Sequence, residues 1–169
     1  MDARETDKQQ IIVFKLEDRF YGVDISQIRE ITRVGEITPM PNSPFYIEGV
    51  TNLRGQVTTV IDMRKKLGLP TKKVGKETRM MVIEYDNRPV GMIVDSISEV
   101  TMLSKADIEK TPEITKKAQR ESHYIKGIGK KDNKLIILID LYELLEECKS
   151  TPKIEMIEPA TEEETAVSS

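Results

Sequence analysis

Four groups of residues have types and spacings that could do chemistry. His123 is the single histidine and Cys148 the single cysteine. A Ser-His-Asp arrangement would rest on His123 alone, and no Cys/His set can hold a metal. Cys148 fits a free thiol in a reducing compartment better than a nucleophile, because only one base exists to activate it. Asp95 and Glu99 could form a carboxylate pair, although solvated surface acids are the simpler reading. Gly127-Ile128-Gly129-Lys130 resembles part of a phosphate loop, yet lacks the full spacing and the Ser or Thr after the lysine. No catalytic constellation emerges, and no cofactor or metal site. The residues favour a protein that works by binding.

The elements that must position any binding surface centre on residues Ile47 to Leu67. Val, Ile, Thr and Leu fill two strand-length runs, and Gly55 supplies the backbone freedom of the turn between them. Asn52 and Arg54 sit beside that turn with no evident role in it. Asp62 is a good N-cap, Met63 and Leu67 share a helical face, and Gly68 with Pro70 stops the helix. Setting Gly49 on Gly127 puts Val50 on Ile128, Val60 on Leu138 and Asp62 on Asp140. Setting Gly22 on Gly91 puts Val13 on Val82, Glu30 on Glu99 and Thr32 on Thr101. The chain reads as a duplication, with a longer connection in the second half.

Further strands are expected over Ile11–Leu16, Phe20–Ile25, Met80–Tyr85 and Val90–Val94, with turns at Glu17-Asp18-Arg19 and Asp86-Asn87. Ser26 is placed to cap a short helix carrying Ile28 and Ile31. Pro39, Pro41 and Pro44 stiffen the following loop. Thr71–Thr78 reads as a basic connector between the halves. The nearly all-apolar run Lys134–Ile139 is expected to be fully buried, and Leu141, Leu144 and Leu145 form the apolar face of a closing helix. Short strands in two similar halves point to a mainly β fold of two small barrels packed together, about 10–70 and 78–149, with terminal elements open to exchange.

The chain has 169 residues, 38% hydrophobic and 33% charged, enough to fill a core under a well-solvated surface. Its formal net charge is −3. Lys153 is the one base after Ser150, against Glu155, Glu158, Glu162, Glu163 and Glu164, so the body before it is close to neutral. Nucleic acid as the main partner needs a clear basic excess, which the body lacks. Residues 1–9 read as a flexible leader and 150–169 as a disordered acidic tail. No apolar run reaches the length of a membrane span, and the polar start is unlike a signal peptide.

Gly49-Val50-Thr51-Asn52-Leu53-Arg54-Gly55, followed by an apolar strand and Asp62-Met63-Arg64, closely resembles the signature of the CheW family of chemotaxis coupling proteins. Phe20-Tyr21-Gly22-Val23-Asp24-Ile25, Ile28-Arg29-Glu30-Ile31, Val90–Asp95 and Gly127-Ile128-Gly129 match its other landmarks, so the resemblance covers about residues 10–147. It implies two SH3-like five-stranded β-barrels around a shared apolar core. It also implies an adaptor without enzymatic activity, cytoplasmic and monomeric when free. Such an adaptor links transmembrane chemoreceptors to the histidine kinase CheA and reaches the membrane only through the receptors. By the same resemblance Ile12, Ile28 and Val100 match a receptor-binding groove between the barrels. Gly49, with Glu30 and Arg54, matches positions for kinase binding or coupling, an Arg54–Glu30 ion pair holding the groove's shape. Thr59 stands where the family commonly has proline.

Two other classes compete. A small nucleic-acid-binding barrel predicts stacking aromatics on a basic strand face, and a small hydrolase predicts that His123 is its base. Neither has support in the composition. The tail generates the first expected outcome. Its residues cannot bury enough apolar surface to offset the roughly 1–2 kcal/mol per residue of backbone ordering. Deleting residues 152–169 leaves the melting temperature and CheA affinity nearly unchanged; a fall of many degrees, or lost binding, would show a docked tail.

Overall fold

Ile11-Ile12-Val13-Phe14 runs without a polar break because both of its faces are covered. Ile11 and Val13 pack with Leu103, Ile136 and Leu138, while Ile12, Phe14 and Leu16 join a larger cluster on the opposite side. Successive strand residues point to opposite faces, so a strand between two cores must be apolar at every position. Met80-Met81-Val82-Ile83 repeats the arrangement. Met80 and Val82 pack with Val60, and Met81 and Ile83 face the larger cluster.

The computed structural model describes residues 8–113, 115 and 123–149; the acidic tail and most of the leader lie outside them. Its strands are β1 (Lys8–Leu16), β2 (Arg19–Asp24), β3 (Glu30–Thr32), β4 (Ile47–Leu53), β5 (Gln56–Asp62), β6 (Arg79–Tyr85), β7 (Arg88–Val94), β8 (Ser96–Ser104), β9 (Ile108–Glu109), β10 (Ile125–Lys131) and β11 (Lys134–Ile139). Its named α-helices among the described residues are α1 (Met63–Lys66) and α2 (Leu141–Lys149). Among the described residues no helix is long and apolar enough to cross a membrane. Two sheets form, ordered β8-β1-β2-β11-β10-β9 and β3-β6-β7-β5-β4. One therefore has six strands where five were expected. The extra strand is the two-residue β9, which pairs with Ile128 and Gly129. At the equivalent edge of the other sheet a single bridge, Thr38 to Val50, does the same work.

Each sheet draws strands from both halves of the chain. β5 runs parallel to β7, with Val60 opposite Gly91, and β11 runs parallel to β2, with Leu138 opposite Gly22. These are the same two positions in each repeat, so the halves exchange their second hairpins reciprocally. Each sheet also curls on itself. Leu103 on edge strand β8 packs against Gly129 on β10, and Lys131 Nζ donates to the Met102 carbonyl at 3.0 Å. The barrel interiors hold the two small clusters. The large cluster lies between the sheets and includes Leu141, Leu144 and Leu145 of α2.

Several expectations change. Ser26 caps no helix: Asp24 caps a 3-10 turn at Ile25–Gln27 by accepting from the Ser26 N–H, and Glu30–Thr32 extends to pair with β6. The β-branched Ile31 and Thr32 suit that strand better than a helix. The run Lys134–Ile139 is not wholly buried, since Leu135 is 62% exposed, as is its repeat partner Val57 at 67%. Asn52 has a turn role after all: its side-chain oxygen accepts from the Gly55 N–H at 2.8 Å. Arg54 and Gly55 both have positive φ, which a two-residue hairpin turn of this hand requires. Gly127-Ile128-Gly129-Lys130 is strand β10, paired on both sides, and forms no phosphate loop.

Asp95 and Glu99 do not pair, and Asp95 is no solvated surface acid. It lies against buried Arg64, which follows the Asp62 cap of α1. Arg64 Nε and Nη2 each reach an Asp95 oxygen at 2.7 Å, and Nη1 donates to the Pro70 carbonyl at 2.7 Å. Glu17 adds an ion pair at 3.2 Å, and its N–H donates to Asp95 Oδ2 at 2.9 Å. The first hairpin turn, α1, the start of the connector and the β7–β8 junction thus meet on one guanidinium. Burial pushes the Asp95 carboxyl upward, but hydrogen bonds from Arg64 and the Glu17 N–H outweigh it and hold the group below its usual range. Hydrogen bonding to Asp95, with the Glu17 carboxylate beside it, raises the Arg64 pKa against the opposing effect of burial. Removing one partner of such a buried pair costs about 3–5 kcal/mol. Arg64→Ala should lose that much in urea unfolding, and Arg64→Lys should recover only part, because lysine lacks the planar fork. Since the folded Asp95 pKa lies below its unfolded value of about 3.9, its contribution is complete above that pH and fades as acid approaches the folded value. Equal acid sensitivity in wild type and Arg64→Ala would contradict this assignment.

Candidate functional site

The shared core reaches solvent along edge strand β8. Alternation sends Thr101 and Leu103 one way and Val100 and Met102 the other. Leu103 fills a barrel interior, whereas Val100 and Met102 remain 50% and 44% exposed. In register, Ile12 of β1 lies opposite Val100, and Gln10 opposite Met102. Directly opposed residues of an antiparallel pair share a face, so Val100 and Met102 continue outward the surface whose buried part is Ile12.

The three groove residues expected from the sequence therefore have different positions. Ile12 is 3% exposed and belongs to the core between the sheets, beneath any surface a partner could touch. Val100 is its exposed neighbour. Ile28 is half-buried and packs against the same cluster. It lies on the crossover from β2 in one sheet to β3 in the other, where its N–H donates to the Ile25 carbonyl at 3.0 Å and the Arg29 N–H to Val82 at 2.8 Å. Ile28 thus borders the cluster that the sheets share, and Val100 lies opposite one of its members, Ile12. Met102 was missed; reading residues 96–104 as a strand would have found it two positions from Val100.

Glu30 and Arg54 form an ion pair. β3 and β4 are opposite edges of the five-stranded sheet, so this pair, running from β3 to the β4–β5 turn, shows the sheet curled until its edges meet. The left-handed backbone at Arg54 aims the long side chain across the gap. The hydrogen bond from Arg54 holds the Glu30 carboxyl below its usual range, although burial opposes it. The repeat has a counterpart, with Glu99 accepting from Lys134 Nζ at 2.9 Å across the six-stranded sheet.

Gly49 offers no contact surface. It is buried at φ +143, and a Cβ there would collide with the Thr38 carbonyl. Gly127 repeats this at φ +152 against the Glu109 carbonyl, and β4 and β10 both shift register at these glycines. Each glycine lets a bulged strand press against the bridging segment at the sheet edge. The exposed positions of the hairpin that begins near Gly49 include Asn52, Arg54 and Val57, of which Asn52 and Val57 line a depression with Gly35, Glu36 and Thr38.

A family model described as the CheW-like domain matches residues 10–149. The chain is similar to the chemotaxis protein CheW of Bacillus subtilis, 36% identical over 146 residues that cover 86% of this chain and 92% of that protein. It is 34% identical over 143 residues to the chemotaxis protein CheW of Klebsiella aerogenes, with 85% of each chain covered. Among solved structures, the scaffolding protein TtCheW of Thermoanaerobacter tengcongensis superposes with a TM-score of 0.73 at 36% identity, covering 82% of this chain and 92% of that one. The two curled sheets correspond to two SH3-like subdomains.

The split between buried and exposed positions can be measured by thermal melts. Ile12→Asp places a charge in the core and should cost several kcal/mol, enough to unfold most of the protein at ambient temperature. Val100→Asp should stay within about 1 kcal/mol of wild type. Comparable losses at both positions would show that the shared core does not open at β8.

Proposed function

The chain belongs to the CheW family of chemotaxis scaffold proteins, and from that premise we propose that it couples transmembrane chemoreceptors to the histidine kinase CheA. It does so by binding both, without catalysing a reaction. What supports this reading is that apolar side chains reach the surface at the shared core from two elements: Ile28 packs half-buried against it, and Val100, opposite core residue Ile12, is exposed with Met102 on the same strand face. A receptor's helical tip fits such a surface by laying its own apolar face along it. The kinase binds elsewhere, on the barrel surface around the β4–β5 hairpin, where the buried bulge at Gly49 and the Arg54–Glu30 pair set the shape. The free protein is a cytoplasmic monomer that reaches the membrane only through its receptors.

Burying a side chain of this size contributes roughly 1.5–3 kcal/mol, and an aspartate in its place leaves an unpaired charge against the partner. Ile28→Asp should therefore stay folded, lose tenfold or more in affinity for a receptor cytoplasmic fragment, and keep its affinity for the CheA regulatory domain. The measurement is a pair of titrations beside a melt. Val100→Asp, at a more exposed position, serves the same purpose if Ile28→Asp unfolds. Loss of CheA with receptor binding kept would show that the two surfaces are assigned the wrong way round.

A further inference from the structure

Cut at the connector, the chain has no half that is a domain. Within residues 8–69 strand pairing stops at two separate hairpins, β1–β2 and β4–β5, and one bridge. Within residues 79–149 it stops at β6–β7 and at β10 with β11 and β9. The four pairings that complete the sheets, β1·β8, β2·β11, β3·β6 and β5·β7, all join one half to the other. Isolated hairpins are marginal in water, so each half needs the other to fold. None of those pairings depends on which molecule supplies the other half. The only covalent link that decides is 70–78, which has no helix or strand and is exposed from Pro70 to Glu77.

We propose that two copies of this chain exchange halves, β1–β5 with α1 of one copy completing both sheets of the other. Every strand pairing is then kept, including Val60 with Gly91 and Leu138 with Gly22, as is the Arg64–Asp95 pair. The new partner is a second copy of the chain and the hinge is 70–78. The reciprocity of the two parallel seams makes this exchange complete: one half left unpaired would expose both barrel interiors, whereas two halves swapped together expose neither. The Ile12–Val100 face would be shared between chains, since β1 and β8 belong to different halves. A short flexible linker holds its own halves together at an effective concentration on the order of millimolar. The monomer therefore dominates in dilute solution, and exchange occurs when the chain folds at comparable concentration.

A disulfide placed across one inter-half register position tests this in the full chain. Lys15 lies opposite Ser96 in the β1–β8 ladder, both half-buried, and directly opposed strand residues are close enough for a disulfide. In a Cys148→Ser background, Lys15→Cys is made in one preparation and Ser96→Cys in another. The two are unfolded together, refolded at about 0.5 mM and oxidised. Exchange predicts a covalent heterodimer of twice the chain mass on non-reducing gels, absent when the two proteins are mixed already folded. A single chain with both cysteines, refolded dilute, should close its bond internally, which shows that the pair is competent. The proposal is overturned if the control closes while co-refolding yields no heterodimer. It is equally overturned if heterodimer forms to the same extent without unfolding, since surface collision then explains it.

Discussion

The structure depends on two parallel seams, β5 against β7 and β11 against β2, each crossing a glycine. At Gly22 a Cβ would meet Ile11 and Ile136 at 2.7 and 2.9 Å, and at Gly91 it would press into the side chain of Met80. The missing side chains let each barrel interior close over the seam strand. Because each seam joins a hairpin of one half to a hairpin of the other, neither barrel can close before both halves are present. A hydrophobic cluster then forms between the barrels from strand faces that a lone barrel would leave wet. Arg64 reinforces the arrangement by fastening Glu17, Pro70 and Asp95 to one buried cation.

That topology also explains where binding surface becomes available. A core between two curled sheets must end at their edges, and β8 is one such edge. Two of its exposed residues, Val100 and Met102, are apolar and alternate with residues that face the barrel interior. The crossover carrying Ile28 spans the sheets and borders the same cluster from another element. Val57 and Leu135, the two most exposed large apolar side chains among the described residues, occupy equivalent positions in the two repeats, beside the β4–β5 and β10–β11 turns. Such an inventory suits a scaffold whose work is contact.

Legibility in the sequence followed the strength of the local signal. The duplication, the hairpins and the Asp62 cap were readable because glycine, turn residues and strand runs recur in the same order in both halves. The family signature carried the fold. What stayed hidden was decided by partners distant in sequence. Ile28 and Ile31 look helical by spacing until β6 is there to pair with Ile31. Ile12 and Val100 cannot be ranked for exposure without knowing that one lies inside a sheet and the other on its edge. The role of Arg64 could not be read locally, since nothing near it in the chain says that Asp95 waits to receive it. Gly49 carried a recognisable pattern whose cause, a carbonyl pressed against its Cα, belongs to another segment.

The account's central claim is that one body carries two independent surfaces, one over the shared core and one on the barrel around the β4–β5 hairpin. Light scattering on a chromatographic column tests it most directly. The protein is first saturated with a receptor cytoplasmic fragment, and the CheA regulatory domain is then added. The account predicts a single peak whose mass is the sum of all three components, with the affinity for CheA within a few-fold of that of the free protein. Displacement of the receptor fragment as CheA is added would mean that the two partners share one surface, and would contradict it.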